Sequence, residues 1–175
     1  MNTTEKSKTT LVVGASGATG KELVNQLLNL DQNVKIIVRS KSRIPSTWKA
    51  NSKISIIENS ILNLSDLQMQ DYVKDCDAIA SCLGHNLTFK GIYGHPRRLV
   101  TDATKKLVNA SIHHKNKKPI KFVLMNTSGN SNRDLNESVP FSQKCVIALL
   151  RLLLPPHVDN EKAADYLRTE NRSKS

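Results

Sequence analysis

Short apolar segments alternate along the chain with longer segments in which apolar residues recur at helical spacing. Five of the short segments are rich in apolar residues, and the first two are rich in β-branched ones, which is typical of strands covered on both faces of a parallel sheet. These predicted strands are residues 10–13, 34–38, 54–57, 77–83 and 120–125. The alternation predicts βαβ units, and therefore an α/β fold with a doubly wound parallel sheet of about five strands.

Helices are predicted between these strands and after the last one. In the first, Leu23, Val24, Leu27 and Leu28 recur at helical spacing and form one apolar face. Later helices are expected at residues 65–74, with Ser65 as N-cap, at 99–113 and at 159–168. The apolar stretch 145–154 is far too short for a bilayer span, which needs about 20 residues. We interpret it as a buried helix that ends at Pro155-Pro156, with a subunit interface or a lid as alternatives.

The length of 175 residues and the 38% hydrophobic content suit one domain over 1–175, with flexible ends at 1–8 and 169–175. No sixth strand follows the last predicted helix. The exposed edge of the fifth strand therefore predicts a homo-oligomer or marginal stability. Three cysteines without metal-ligand spacing indicate free thiols and no metal site. The polar first ten residues resemble no leader sequence, so we expect a cytoplasmic protein without a membrane span.

Charge narrows the choice of partner. The chain carries 26 basic and 15 acidic residues, a formal net charge of +11, which favours an anionic partner. A phosphate-rich cofactor and a nucleic acid both qualify. Aromatic residues make up only 4% of the chain, too few for the stacking platforms of nucleic-acid binders, so nucleic acid is disfavoured. The basic run at 113–118 is interpreted as a solvated helix end and loop.

A glycine-rich segment joins the first predicted strand to the first helix. Glycines there let a pyrophosphate approach the backbone at the positive end of the helix dipole. A P-loop would need Gly at position 15 and a hydroxyl at 22, where this chain has Ala15 and Glu22. The pattern therefore predicts a dinucleotide-binding turn of a Rossmann fold. Its predicted cofactor-binding residues are Gly14, Ala15, Ser16, Gly17, Ala18, Thr19 and Gly20.

The residue after the second strand distinguishes the two nicotinamide dinucleotides. An acid there accepts from the 2′-hydroxyl of NAD, whereas an Arg accommodates the 2′-phosphate of NADP. This chain has Arg39, followed by Ser40, Lys41, Ser42 and Arg43. We expect no carboxylate at this place and predict that Arg39, Ser40 and Arg43 make NADP(H) preferred over NAD(H). A solvated basic loop is the alternative.

These motifs, read with residues 77–84 and 125–129, resemble the short-chain dehydrogenase/reductase superfamily, and in particular its atypical branch of NmrA-like proteins and small flavin or biliverdin reductases. The resemblance implies that Ser60, where the family usually has Asp, and Ile61 flank the adenine. It places Cys82, Leu83 and Gly84 beneath the nicotinamide-side ribose and Asn126 and Thr127 near the nicotinamide. Without a visible base, Cys82 is interpreted as a small buried strand residue rather than a nucleophile.

The catalytic Tyr-x-x-x-Lys of the typical branch is missing, because the residues four positions after Tyr72, Tyr93 and Tyr166 are Cys, Arg and Glu. His157 and Glu161 have the right spacing, but a surface pair explains them equally well, so the catalytic residues stay unknown. Two functions remain open: an NADP(H)-dependent oxidoreductase acting on a flavin, quinone or small carbonyl, or a non-catalytic NADP(H)-sensing regulatory protein.

Overall fold

A computed structural model describes residues 7–85, 94–113, 119–126 and 140–172. Its strands are β1 (Thr9–Val13), β2 (Asn33–Val38), β3 (Ile54–Glu58), β4 (Ala78–Ser81) and β5 (Lys121–Leu124). Its α-helices are α1 (Ala18–Asn29), α2 (Ser46–Lys49), α3 (Asp66–Val73), α4 (Leu99–His113), α5 (Phe141–Leu153) and α6 (Pro155–Arg172). Short 3-10 helices lie at Lys41–Arg43 and Ile61–Asn63. Residues 130–139, which the polar sequence predicts to be a loop, lie outside the described residues.

The five strands form one parallel sheet in the order β3-β2-β1-β4-β5. β2 and β3 lie on one side of β1, and β4 and β5 lie on the other side. This topology confirms the predicted doubly wound α/β fold. The switch in direction falls between β1 and β4, where open α/β sheets bind their ligands.

The strand and helix predictions were accurate in position and less so in length. The structure confirms all five strands, but β4 excludes Asp77, Cys82 and Leu83, which were predicted within it. It also confirms the helix at 99–113 and the N-cap Ser65, whose hydroxyl accepts from the Gln68 N–H in a reciprocal capping box. In the described sheet β5 pairs only with β4, and its Val123 is exposed. Self-association through this edge stays a prediction.

The chain divides into two compact units, residues 1–83 with 106–125 and residues 84–105 with 126–175. The first unit holds the sheet, α1, α2 and α3. Val24 of α1 is fully buried and packs with Val12 of β1 and Ile36 of β2, so the predicted apolar face of α1 meets the sheet. Leu11 and Ile79 are also fully buried at the centre of the sheet.

In the second unit, two predictions for the last helices were wrong. The apolar stretch 145–154 forms most of α5, yet none of the residues of α5 is buried, and Leu149 and Leu152 are 55% and 78% exposed. α5 packs against α6, yet much of its apolar surface stays exposed. α6 begins at Pro155 and reaches Arg172, so it is longer than the predicted 159–168, whereas flexibility at 169–175 stays a prediction. Proline is favoured at the first position of a helix, because the N–H that it lacks has no partner within the helix there.

No helix among the described residues combines the length and the apolar character that a bilayer crossing requires.

A buried carboxylate, Asp159 of α6, organises the second unit. It accepts hydrogen bonds from the backbone N–H groups of Val100 (2.8 Å) and Thr101 (3.1 Å) at the start of α4. Its Oδ2 lies 2.9 Å from Nε2 of His85, whose side chain is also buried. Because an ionised carboxylate only accepts, the His85 ring donates this bond. Asp159 thus caps α4 from another helix and attaches the segment that follows β4.

These contacts determine the pKa of Asp159. Burial alone would raise it, but the hydrogen bonds from His85, Thr101 and Val100 favour the charged form more strongly, so the pKa lies below its usual value. A carboxyl whose pKa is lowered by folding stabilises the fold above its unfolded pKa, about 4. That stabilisation disappears as the pH falls through the lower, folded value.

We predict that Asp159→Asn lowers the free energy of unfolding at neutral pH by about 2 kcal/mol, because hydrogen bonds to a charged acceptor are lost. Below about pH 4 the gap between variant and unmodified protein should shrink, since protonation removes the same charge. Urea unfolding between neutral pH and pH 3 measures both effects. Asp165→Asn is the control, because Asp165 lies in the same helix but is only half-buried. An unchanged gap at low pH would contradict the assigned pKa.

Candidate functional site

The carboxyl ends of the strands in the first unit line up at one edge of the sheet. Val13 of β1 pairs with Ile37 of β2 on one side and with Ser81 of β4 on the other. Neighbouring strands lie about 4.8 Å apart, so the turns that leave them are adjacent. The glycine-rich turn starts directly after Val13, and the basic turn starts directly after Val38. The edge therefore brings together the two segments predicted to bind the pyrophosphate and the 2′-phosphate.

Two glycines of the first turn are required by the fold itself. Gly14 has a φ of +79°, and a Cβ there would lie 2.4 Å from the carbonyl oxygen of Cys82. A Cβ on Gly20 would lie 2.3 Å from the carbonyl oxygen of Gly14. Both distances are far below van der Waals contact, and the atoms approached are backbone. Gly14 thus lets β1 leave beside the chain that exits β4, and Gly20 lets α1 sit directly against the turn.

Gly17 differs from these two. It is the N-cap of α1, its φ of −78° suits any residue, and its backbone is exposed. A Cβ there would meet only the carbonyl oxygen of Gly14, at 3.3 Å, a contact that a small shift relieves. The fold therefore needs glycine at this position much less than at 14 or 20. A glycine here agrees with the predicted close approach of a pyrophosphate, which stays a prediction.

The start of α1 suits an anion. The first N–H groups of a helix have no partner within it, and they carry the positive end of its dipole. No acidic residue occupies the first turn of α1, and Gly17 has no side chain to cap it. Ala18 and Thr19 are exposed there, Ser16 is half-buried and Ala15 is fully buried. The open helix end and the open space at Gly17 fit the pyrophosphate of a dinucleotide.

The basic turn after β2 is ordered by its own serines. Ser40 caps the 3-10 helix Lys41–Arg43, and its Oγ accepts from the Ser42 N–H. The two serine hydroxyls lie 2.9 Å apart, so one donates to the other. Arg39 and Arg43 are both exposed. The turn therefore offers hydroxyl groups and two guanidinium groups from one short segment.

A carboxylate accompanies this turn, contrary to the sequence-based expectation. Glu58 is the last residue of β3 and pairs with Val38, the last residue of β2. Its Oε1 accepts from the Lys41 N–H at 2.9 Å, and its Oε2 lies 3.8 Å from Lys41 Nζ. The expectation rested on the residues that follow β2 along the chain, whereas parallel pairing places the end of β3 beside them. Glu58 directly follows the predicted third strand 54–57, and that position was the available signal.

The residues predicted to flank the adenine follow β3. Ser60 is half-buried and caps the 3-10 helix Ile61–Asn63, with its carbonyl accepting from the Asn63 N–H. Ile61 is only 6% exposed. Its side chain contributes to the interior of the first unit, which leaves Ser60 as the better placed of the two. Adenine contact at these residues stays a prediction.

The segment after β4 contains the residues predicted near the nicotinamide-side ribose. The N–H of Cys82 donates to the carbonyl of Val13, which ties this segment to the glycine-rich turn. Cys82 is half-buried and lies just past the strand rather than within it, and burial raises the pKa of its thiol. A raised pKa means less thiolate, which agrees with a non-nucleophilic role. Leu83 is half-buried, and a Cβ at Gly84 would meet no atom within 4 Å.

The residues predicted near the nicotinamide are described only in part. Asn126 follows β5, and the Met125 N–H before it donates to the carbonyl of Ser81. Thr127 lies outside the described residues. The roles of both stay predictions.

His157 and Glu161 form a buried pair rather than a surface pair. Their side chains are 8% and 12% exposed, and His157 Nε2 lies 3.6 Å from Glu161 Oε1. Arg151 of α5 makes a bidentate contact with Glu161, through Nε and Nη2 at 2.9 Å each. The surface interpretation was wrong: α6 begins earlier than predicted, and His157 lies in its first turn with a buried side chain. The contact between Arg151 and Glu161 joins α5 to α6.

No group of three or more potential metal ligands occurs among the described residues.

Comparison of the sequence with known families agrees with the geometry of the glycine-rich turn. A family described as NAD(P)H-binding matches residues 14–173, beginning at the first glycine of the turn. The chain belongs to this NAD(P)H-binding family. Its cofactor class is therefore NAD(P)H, and the prediction of a Rossmann domain for a nicotinamide dinucleotide is confirmed. No curated protein sequence matches the chain.

Solved structures resemble the fold at low sequence identity. The oxidoreductase YlbE of Lactococcus lactis is 18% identical, with a TM-score of 0.63 over 93% of this chain and 64% of that one. A short-chain dehydrogenase/reductase of Veillonella parvula is 16% identical, with a TM-score of 0.65 over 93% and 64%. A UDP-glucose 4-epimerase of Thermotoga maritima is 17% identical, with a TM-score of 0.65 over 94% and 51%. The chain thus spans less than two thirds of the length of each, and the likeness shows the fold.

We predict that Gly17→Val abolishes NAD(P)H binding while the protein stays folded, because the branched side chain fills the open space at the N-terminus of α1. Titration calorimetry measures the binding, and circular dichroism checks the fold. Gly20→Val is the matched comparison: its side chain collides with backbone, so it should unfold the first unit instead. A folded Gly17→Val variant with unchanged affinity would remove this turn from the cofactor site.

Proposed function

We propose that the chain is an NADPH-dependent oxidoreductase that prefers NADP(H) to NAD(H). The observation that carries the preference is the basic turn Ser40–Arg43, capped by Ser40 and adjacent to the glycine-rich turn at the edge of the sheet. In this proposal the N–H groups at Gly17 and the start of α1 hold the pyrophosphate. Arg39, Ser40 and Arg43 hold the 2′-phosphate.

Charge complementarity supports this choice of dinucleotide. A charge-assisted hydrogen bond from Arg to phosphate contributes on the order of 1.5 to 3 kcal/mol. One such bond corresponds to roughly a tenfold to hundredfold preference, and salt screening at an exposed site moves it toward the lower end. Arg39 and Arg43 are exposed, so their contribution should fall as salt rises. Glu58 partly neutralises Lys41, which leaves the two arginines as the main cations.

The acceptor in this proposal is a flavin, a quinone or a small carbonyl compound. NADPH supplies the hydride when bound, and the protein holds and orients it. Flavins and quinones accept a hydride with little proton chemistry from side chains, which suits a chain whose tyrosines lack the Tyr-x-x-x-Lys spacing. Two structural neighbours whose names describe an oxidoreductase and a short-chain dehydrogenase/reductase support the reaction class.

The second candidate is an NADP(H)-sensing regulatory protein without turnover, as in the NmrA-like resemblance. The observation that favours it is the same missing Tyr-x-x-x-Lys pattern. Oxidation of NADPH, followed by nicotinamide absorbance with separate flavin, quinone and small-carbonyl acceptors, distinguishes the two. We expect turnover with a flavin or quinone that Gly17→Val abolishes. Tight NADPH binding without turnover on any acceptor would establish the sensing function instead.

We predict that Arg39→Ala weakens NADPH binding by about tenfold or more and leaves NADH binding nearly unchanged. Arg39→Asp should invert the preference, because its carboxylate repels the phosphate and accepts from the 2′-hydroxyl. Calorimetric titration with both cofactors at moderate salt measures the two affinities. Lys49→Ala is the control, since it removes one exposed positive charge from the neighbouring helix α2. Equal affinities for NADH and NADPH in the unmodified protein would contradict the preference.

A further inference from the structure

Glu58 connects the ends of two neighbouring strands to the basic turn. It ends β3, and the next residue, Asn59, donates its N–H to the carbonyl of Val38 at 2.9 Å. Glu58 Oε1 then accepts from the Lys41 N–H, also at 2.9 Å. The turn that follows β2 is thus attached to β3 by a side chain as well as by the sheet.

The backbone N–H groups inside the turn make longer hydrogen bonds than this attachment, whereas the hydroxyls of Ser40 and Ser42 lie 2.9 Å apart. The Ser42 N–H reaches Ser40 Oγ at 3.3 Å, and the Arg43 N–H reaches the carbonyl of Ser40 at 3.3 Å. Hydrogen bonds beyond about 3.2 Å are weak, and a three-residue 3-10 helix has few of them. The bond from Lys41 to Glu58 is therefore the shortest hydrogen bond made by a backbone N–H of residues 41–43, and it restrains the turn from the neighbouring strand.

The ion pair with Lys41 is not the reason for the position of Glu58. The two side chains are 44% and 48% exposed and their charged atoms are 3.8 Å apart, a geometry in which an ion pair adds little stability. The negative charge also stands close to where an anionic group would bind. What the carboxylate offers the turn is a fixed hydrogen-bond acceptor.

We propose that Glu58 is a positioning residue for the 2′-phosphate: by accepting from the Lys41 N–H, it holds the basic turn in the conformation that presents Ser40, Ser42 and Arg43 to the phosphate. This inference rests on the proposed preference for NADP(H). The proposal assigns opposite effects to the hydrogen-bond acceptor of Glu58 and to its negative charge. The acceptor oxygen favours NADP(H) binding, and the charge opposes it.

Two variants separate these properties. Glu58→Gln keeps an acceptor oxygen but removes the charge, so its NADPH affinity should equal or exceed that of the unmodified protein. Glu58→Ala removes both, and its NADPH affinity should fall about threefold to tenfold, because the loss of the hydrogen bond outweighs the relief of charge repulsion. NADH affinity should change in neither variant. Asp71→Ala is the control, because it removes an exposed carboxylate of α3 that pairs with Lys74, as Glu58 pairs with Lys41.

The measurement is titration of each variant with NADPH, NADH, adenosine 2′,5′-bisphosphate and AMP, the last two reporting the adenosine side alone. A second readout needs no cofactor: native-state trypsin cleavage after Arg39, Lys41 and Arg43 should accelerate in Glu58→Ala and not in Glu58→Gln. Loss of NADPH affinity together with faster cleavage in Glu58→Ala alone supports the inference.

Three outcomes overturn it. Unchanged NADPH affinity in Glu58→Ala, in a protein that does prefer NADPH, defeats this inference and leaves the proposed function standing. Loss of NADH affinity in Glu58→Ala would mean that the carboxylate binds a ribose hydroxyl directly. Equal NADPH and NADH affinities in the unmodified protein would defeat both the proposed function and the role of Glu58 toward a phosphate.

Discussion

The close approach of backbone to backbone at Gly14 is the constraint on which the candidate site depends. At this point the exit from β1, the exit from β4 and the start of α1 meet, and no side chain fits between them. The left-handed φ of Gly14 turns the chain into α1, and Gly20 lets the helix settle against the turn. The N-terminus of α1 therefore lies at the carboxyl edge of the sheet, at the point between β1 and β4 where the strand order reverses. A dinucleotide-binding crevice follows from that geometry.

The three glycines of one motif therefore answer to different requirements. Gly14 and Gly20 are needed by the fold, whether or not a cofactor binds. The fold hardly requires a glycine at position 17, because a Cβ there would displace only one carbonyl oxygen, and only slightly. A motif match alone cannot make this distinction, because the letters are identical. The structure makes it, because backbone atoms exclude a side chain at Gly14 and Gly20 and hardly restrict one at Gly17.

Periodicity predicted the first unit well because local pattern and long-range packing agree there. The strands are dominated by aliphatic residues, α1 has one apolar face, and Ser65 supplies a helix start that needs no tertiary information. The second unit was harder because its contacts join residues far apart in sequence. Asp159 caps α4, which begins sixty residues earlier in the chain, and no local sequence pattern predicts this contact. The apolar α5 illustrates the same limit: hydrophobicity predicted burial, whereas burial depends on a partner surface.

The charge pattern at the sheet edge shows why the residue after β2 is an incomplete guide to cofactor choice. Arg39 and Arg43 come from one strand end, and the opposing carboxylate of Glu58 comes from the next strand in the sheet. A rule based only on the residues that follow β2 includes the two arginines and omits the carboxylate of Glu58. The register between β2 and β3 places Glu58 beside Val38, so the carboxylate stands next to the basic turn. The local electrostatics of this edge therefore follow from the pairing of two neighbouring strand ends and not from one sequence segment alone.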